Sequence, residues 1–453
     1  MCDDAAMVRS RTLATTRTLA AALTLATSLV VAACAAPAVA PVTPAVPGAT
    51  TTSAPGTSNG PSSPTLAPYS PGPSASPEDP ATLYARIEAQ VEQIRGLTAI
   101  APVAPRILDQ AQLAAQLRSR FDQENPPAIV AGEQALYQDL GLFPRDASLK
   151  DELLKLLTSQ IAGFYRPQDK ELYVISQSGS IGPSQLVTFA HEFDHALQDQ
   201  HFDLTKLGID TPDQGDRSLA RLSLAEGDAT LLMSQWAQQN LSPLQTLQLL
   251  QESADPAQTA ILASMPPFLK DELLFPYTSG LTFIEGLWAK GGWPAVDAAY
   301  ATPPDSTAQI LHPEQYLAHQ EPVPVTLAAD IERRLGAGWS QTYADTLGEF
   351  GLREWLTIVG GLQPQAAADA ATGWAGDRVA VLEGPGGSWG AVLVTRWTSA
   401  TDAGAFHDAA ATTVASALPA AVVAQPSSTT VTVLFASDVA TLGRLRSLPT
   451  PGG

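Results

Sequence analysis

The 453-residue sequence predicts an α+β fold: a predominantly helical body with a small β-sheet, followed by a small C-terminal α/β domain. Three observations carry that prediction. Apolar residues recur every three to four positions through most of residues 81–360, the period of an amphipathic helix. The period breaks once, in "GFYRPQDKELYVIS", where aromatic and branched residues alternate around a Pro-Gln-Asp-Lys turn, a hairpin signal. After residue 372 the segments "DRVAVLEG", "SWGAVLVTRW" and "STTVTVLFAS" read as strands, with "DAGAFHDAAATTVASAL" as a helix among them.

The chain divides by composition into four parts. In residues 1–33, Arg9, Arg11 and Arg17 lead into the apolar run "LAAALTLATSLVVAAC", too short and Ala-rich for a membrane span; it reads as a signal peptide. Its end, Val31-Ala32-Ala33-Cys34, resembles a lipobox, so Cys34 is expected to carry lipid and anchor the protein outside the cytoplasm, in a bacterial cell envelope. Cys2 and Cys34 are the only cysteines, so no disulfide is expected. Residues 34–80 hold twelve prolines among Ala, Thr and Ser and no charge before Glu78, the composition of a disordered tether. Residues 81–372 form the helical body. "ATLYARIEAQVEQIRGL" puts Leu83, Ile87, Val91 and Ile94 on one stripe, and "RILDQAQLAAQLRSRFDQE", "SLKDELLKLLTSQI", "SQLVTFAHEFDHALQDQ" and "SLARLSLAEGDATLLMSQWAQQN" are helical by the same criterion. Residues 373–453 form the α/β domain, in which His407 falls on an ordinary helix surface. A net charge of −20, from 25 basic and 45 acidic residues, leaves no basic footprint for nucleic acid.

The chemistry concentrates in "HEFDHALQDQH", residues 191–201. Its first five residues fit H-E-x-x-H. Four residues apart on a helix, His191 and His195 project from one face and can share a zinc ion, while Glu192, about 100° round the helix, is placed to take a proton from water rather than bind metal. Two residues compete to be the third ligand. His201 stands where metzincins keep theirs, but the helix-breaking Gly of that pattern is Gln198 here, and a continuous helix points His201 away from the metal face. Glu226 lies 31 residues after His195 on another expected helix, in "LSLAEGDATLLM", where apolar neighbours leave a carboxylate in want of a partner. The apolar setting favours Glu226, with Asp228 and His201 as the alternatives, and Gly227 is expected to let the two ligand helices approach.

Taken with "AEGDATLL" and "FPYTSGLTFIEGLWAKGGWPAVDAAYATPPDSTAQILHPEQY", the hairpin and the His motif make residues 163–316 resemble gluzincin-type zinc peptidases of bacterial secreted proteins and lipoproteins. The resemblance implies a thermolysin-like arrangement, with the small sheet next to the active-site helix and its edge strand binding extended substrate. It implies Zn2+ held by His191, His195 and Glu226, peptide-bond hydrolysis by zinc-activated water, and Glu192 as general base. It also implies an oxyanion donor, for which Tyr277 and His312 are the candidates; each could equally be structural. The expected partners are a peptide or protein substrate and, through Cys34, a membrane. The competing reading is a non-catalytic binding or scaffold lipoprotein that retains a zinc site.

Overall fold

The protein is described by a computed structural model covering residues 79–447, apart from 161–162, 176–180, 255, 328–330 and 419. The expected leader, Cys34 and the tether up to residue 78 lie outside the described residues. Among the described residues, no helix is long and apolar enough to cross a membrane.

The fold is mostly helical, with two small sheets. Asp79 caps α1 (Pro80–Arg95) by accepting the amides of Ala81 and Thr82. The buried side of α1 is Tyr84, Ile87, Val91 and Arg95, a stripe that includes a charged residue at its end. Residues 106–108, expected as the start of a helix, belong instead to strand β1 (Pro105–Leu108). The Asp109–Gln112 capping box starts α2 (Gln110–Glu124) only after it, and Ile107 and Leu108 pair in parallel with Val174 and Ile175. Two apolar residues suit either period, so the pairing decided between them. Then come α3 (Pro127–Leu140) and α4 (Leu149–Gln160), followed by the expected hairpin. It is formed by β2 (Gly163–Arg166) and β3 (Glu171–Ile175), in antiparallel register from Gly163↔Val174 to Arg166↔Glu171. The sheet order β1-β3-β2 puts β2 at an edge.

The center of the body is three long helices: α5 (Pro183–Phe202), α6 (Gly215–Asn240) and α9 (Pro267–Gly291). Between the last two lie α7 (Pro243–Ser253) and α8 (Pro256–Ala263). Three short helices follow, α10 (Trp293–Ala301), α11 (Thr307–Leu311) and α12 (Pro313–Leu317), with α13 (Ile331–Leu335) beyond them. The second sheet starts before residue 373, with β4 (Ser340–Asp345), a strand too polar to show in the sequence pattern. After α14 (Gly348–Ile358) and α15 (Pro364–Ala371) come β5 (Trp374–Glu383), β6 (Trp389–Trp397), α16 (Ala400–Ala417), β7 (Ala421–Ser427), β8 (Thr430–Ala436) and α17 (Val439–Arg446). The strands order as β4-β5-β6-β8-β7, all antiparallel, with Pro426 tolerated on the β7 edge. One apolar core runs from α2–α4 and α6 through α9 into this sheet.

The second sheet also completes α6. The residue before that helix, Gln214, provides no side-chain cap, and the first amides go to the β4–α14 junction: Gly215 N–H to Asp345 Oδ1 at 2.7 Å, Asp216 N–H to the Thr346 carbonyl at 3.2 Å. Asp216 in turn accepts the Thr307 amide at 3.0 Å and its hydroxyl at 2.5 Å. Gly348 beside it has φ +71°, and a Cβ there would lie 1.7 Å from Asp216 Oδ1, so only glycine fits.

Burial pushes the Asp216 carboxyl up to about 7 against the pull of Thr307, and Asp377 and Glu349 add repulsion; Asp377, buried next to it, is pushed up to about 6. A carboxyl raised on folding binds its proton more tightly in the native state, so stability is lost as pH climbs from the unfolded value towards the folded one. Asp216→Asn keeps an oxygen for Thr307 and removes the charge. Its unfolding free energy should exceed that of the wild type at pH 8, with the gap narrowing towards pH 4 by about 1.4 kcal/mol per pH unit within the window. A gap independent of pH would contradict this account.

Candidate metal centre

The helix of α5 places His191 and His195 one turn apart, and their rings meet edge to face, centroids 4.7 Å apart and planes at 86°. The two Nε2 atoms are 3.1 Å from each other. From α6, Glu226 Oε2 completes a triangle, 3.2 Å from His191 Nε2 and 3.3 Å from His195 Nε2. All three residues, and Glu192, are 0% exposed. Tetrahedral bonds of about 2.0–2.2 Å, as to zinc, separate their donor atoms by about 3.3–3.6 Å, and the triangle is within a few tenths of an ångström of that spacing. Two imidazole nitrogens and a carboxylate converging in a dry interior also need a proton or cation between them. The buried group can therefore hold a metal ion.

Glu226 Oε1 has no hydrogen-bond partner. The Tyr165 amide of β2 faces the Glu192 carboxylate, and the Ala229 carbonyl faces the His191 ring. The ionisations follow the geometry. Burial pushes the Glu226 carboxyl up, but His195 and His191 outweigh it and hold the group below the usual range. Burial also works against the charged form of His195, yet Glu226 beside it wins and takes the imidazole up to about 10. His191 goes down, because burial outweighs its bond to Glu226. Glu192 is driven well above the carboxylate range, chiefly by burial.

A buried charge network lies behind the triangle. Arg95 at the end of α1 grips Asp228 with two hydrogen bonds, Nε to Oδ1 at 3.0 Å and Nη2 to Oδ2 at 2.9 Å. It also reaches Asp194 at 3.7 Å and Asp297 at 2.7 Å, and its guanidinium stacks over Trp293. Tyr300 donates to Asp228 at 2.8 Å. Burial and the neighbouring Asp228 push Asp194 up to about 7. Asp228 is thus committed to Arg95 and Tyr300 and is no part of the triangle. The sequence hid this network because Arg95 reads as a solvated residue at a helix end.

The other expected site residues fall as follows. Glu192 abuts β2: a Cβ on Gly163 would lie 3.4 Å from Glu192 Cγ and 2.8 Å from Thr188 Cγ2, so glycine lets the edge strand pass directly over the motif. Tyr277 of α9 is brought to the group, its ring 6.3 Å from that of His191 at an interplanar angle of 28°. His201 is not; it lies at the surface with Nε2 on the Thr98 carbonyl at 2.8 Å. His312 is held elsewhere, its Nε2 2.8 Å from Glu349 Oε1, where α11 and α14 meet the first turn of α6. His407 pairs with its neighbour Asp408 on the face of α16. Gly227 permits a close approach, but to a different helix from the one expected: a Cβ there would lie 2.3 Å from the Gly280 carbonyl oxygen of α9, and a Cβ on Gly280 would lie 2.4 Å from that of Ser223. This contact seats Glu226 and Tyr277 together, because each is within three residues of one of the glycines.

Residues 333–446, which include the second sheet, match a family described as a domain of unknown function, DUF8575. A comparison with curated proteins finds no match. Among solved structures, the chain is similar to one from Chloroflexus aurantiacus titled a "putative hydrolase with a novel fold", at 17% identity and a TM-score of 0.34, over 52% of this chain and 89% of that one. A likeness this slight places neither fold nor activity.

Because the two nearest atoms facing Gly227 belong to the backbone of Gly280, they cannot give way as a flexible side chain would. Gly227→Ala should therefore lower stability by about 1–3 kcal/mol and weaken metal binding by displacing Glu226. Denaturant unfolding and zinc titration of the full chain would measure both. Wild-type values for both would show that the helix pair is not constrained by this contact.

Proposed function

We propose that this chain is a zinc-dependent peptidase, with His191, His195 and Glu226 holding the ion and Glu192 acting as the general base. The donor triangle carries the reading: two imidazoles and a carboxylate near tetrahedral spacing, with the Glu192 carboxylate buried beside them. A purely structural zinc site closes its fourth position with a protein ligand. The two candidates for that position, His201 and Asp228, are bound to Thr98 and to Arg95 and Tyr300. A structural site also has no use for Glu192.

Zinc in such a group supplies a Lewis acid that brings the pKa of a bound water down to about 7. Glu192 receives the proton lost by the attacking water and returns it to the leaving amine nitrogen. Tyr277, stacked near His191, is the candidate hydroxyl donor to the oxyanion. His312 has no part in this proposal, its Nε2 being engaged by Glu349. An extended peptide would lie along the outer edge of β2, next to Glu192, using main-chain hydrogen bonds. The lipid anchor at Cys34 and the envelope location belong to the same proposal and rest on the leader sequence alone.

Metal analysis of the full chain should give one zinc per chain, retained in His201→Gln and largely lost in Glu226→Gln. With a quenched fluorescent peptide library as substrate, Glu192→Gln should keep its zinc and lose about 10²–10⁴-fold in turnover. Loss of zinc in His201→Gln but not in Glu226→Gln would reassign the third ligand. Full turnover in Glu192→Gln would remove the proposed base.

A further inference from the structure

The side chain that decides how His195 presents itself to a cation is Gln198, one turn further along α5 and 0% exposed. Its carboxamide makes three hydrogen bonds. Nε2 donates to Asp194 Oδ2 at 3.0 Å and to the Ala225 carbonyl of α6 at 3.1 Å, and Oε1 lies 2.9 Å from His195 Nδ1. Only one orientation of the amide is consistent with these partners. Turned over, it would set its oxygen against two acceptors, Asp194 Oδ2 and the Ala225 carbonyl, and leave both amide hydrogens without use. With both hydrogens committed, the oxygen is what faces the histidine, so Nδ1 must carry a proton and donate it. The lone pair available for a metal is then on Nε2, the atom that faces His191 and Glu226.

We propose that Gln198 is a positioning residue for the metal group: it fixes the Nδ1–H tautomer of His195 and ties that ligand to the helix carrying Glu226. The inference rests on the metal-binding reading of the triangle. Both links come from one side chain. The His195 bond sets the ring's rotation and protonation, and the bond to Ala225, immediately before Glu226, sets the separation of α5 from α6 at the level of the ion. His191 has no side-chain equivalent, its ring meeting instead the backbone of α6 at Ala229. Gln198 occupies the position at which the metzincin pattern places glycine. A glycine there would free the backbone and supply neither bond.

The test uses the full chain, with zinc as the probe, in wild type, Gln198→Met and Gln198→Glu. Methionine keeps the shape and removes every hydrogen bond; glutamate keeps an oxygen for His195 Nδ1 and gives up the donor to Ala225. Competition against a chromophoric chelator should show Gln198→Met binding zinc about 10–100-fold more weakly, with Gln198→Glu, which keeps only the His195 link, losing less. In ¹⁵N-histidine-labelled, zinc-loaded wild type, His195 Nδ1 should give the signal of a protonated ring nitrogen and Nε2 that of an unprotonated one. Wild-type affinity in Gln198→Met would overturn the proposal. So would equal losses in the two variants, which would reduce Gln198 to a packing residue, or an unprotonated Nδ1 in the wild type, whatever the variants do. A wild type that binds no zinc at all is a different result and removes the metal reading itself.

Discussion

The packing of α5 against α6 is the constraint on which the molecule turns. It buries a seam of polar groups that ordinary core packing would exclude: two histidines, Glu192, Glu226, Asp194, Asp228, Gln198 and Arg95, all 0% exposed. Each has to be met by hydrogen bond or by opposite charge, because a stranded polar atom in such a place costs about 1–3 kcal/mol and a stranded charge more. Arg95 neutralises the aspartates and Gln198 bridges the helices. The remaining demand falls on the His191–His195–Glu226 triangle, where a divalent cation is the natural complement. The rest of the body serves to keep these two helices at the separation the seam needs.

That service comes from opposite ends. At the level of Glu226, the Gly227–Gly280 contact brings α9 against α6 backbone to backbone and delivers Tyr277 to the site. At the first turn of α6, the β4–α14 junction supplies acceptors for amides the helix cannot satisfy itself. On the far side of α5, the edge strand β2 passes close over Glu192 because Gly163 has no side chain in the way. Three small residues and one loop thus fix a site to which none of them contributes a ligand.

Much of this was legible in the sequence, for identifiable reasons. The ligand spacing and the hairpin are local patterns, four residues apart in one case and period two in the other, and both elements form where expected. The direction of His201 followed from helix geometry alone. What could not be read was set by partners distant in the chain. Arg95 meets Asp228 across 133 residues, and β1 is a strand only because β3 is there to pair with it. β4 is polar in sequence and acquires its strand form from β5. Gly227 was recognisable as a site of close approach, but which helix approaches is a tertiary fact. Gln198 drew notice as the residue that replaces glycine, although its reach back to a histidine three positions earlier is a helical pairing that spacing alone permits.

The capping of α6 by Asp345 and Thr346 also has a consequence for truncation. Gly215 and Asp345 are 130 positions apart, so the acceptors that finish the helix carrying Glu226 come from well beyond every residue of the triangle. They fall within residues 333–446, the segment that matches a domain of unknown function. A chain cut before that segment would keep His191, His195 and Glu226 and leave the first turn of α6 open. The triangle's own helix is thus finished by a region that contributes no atom to it.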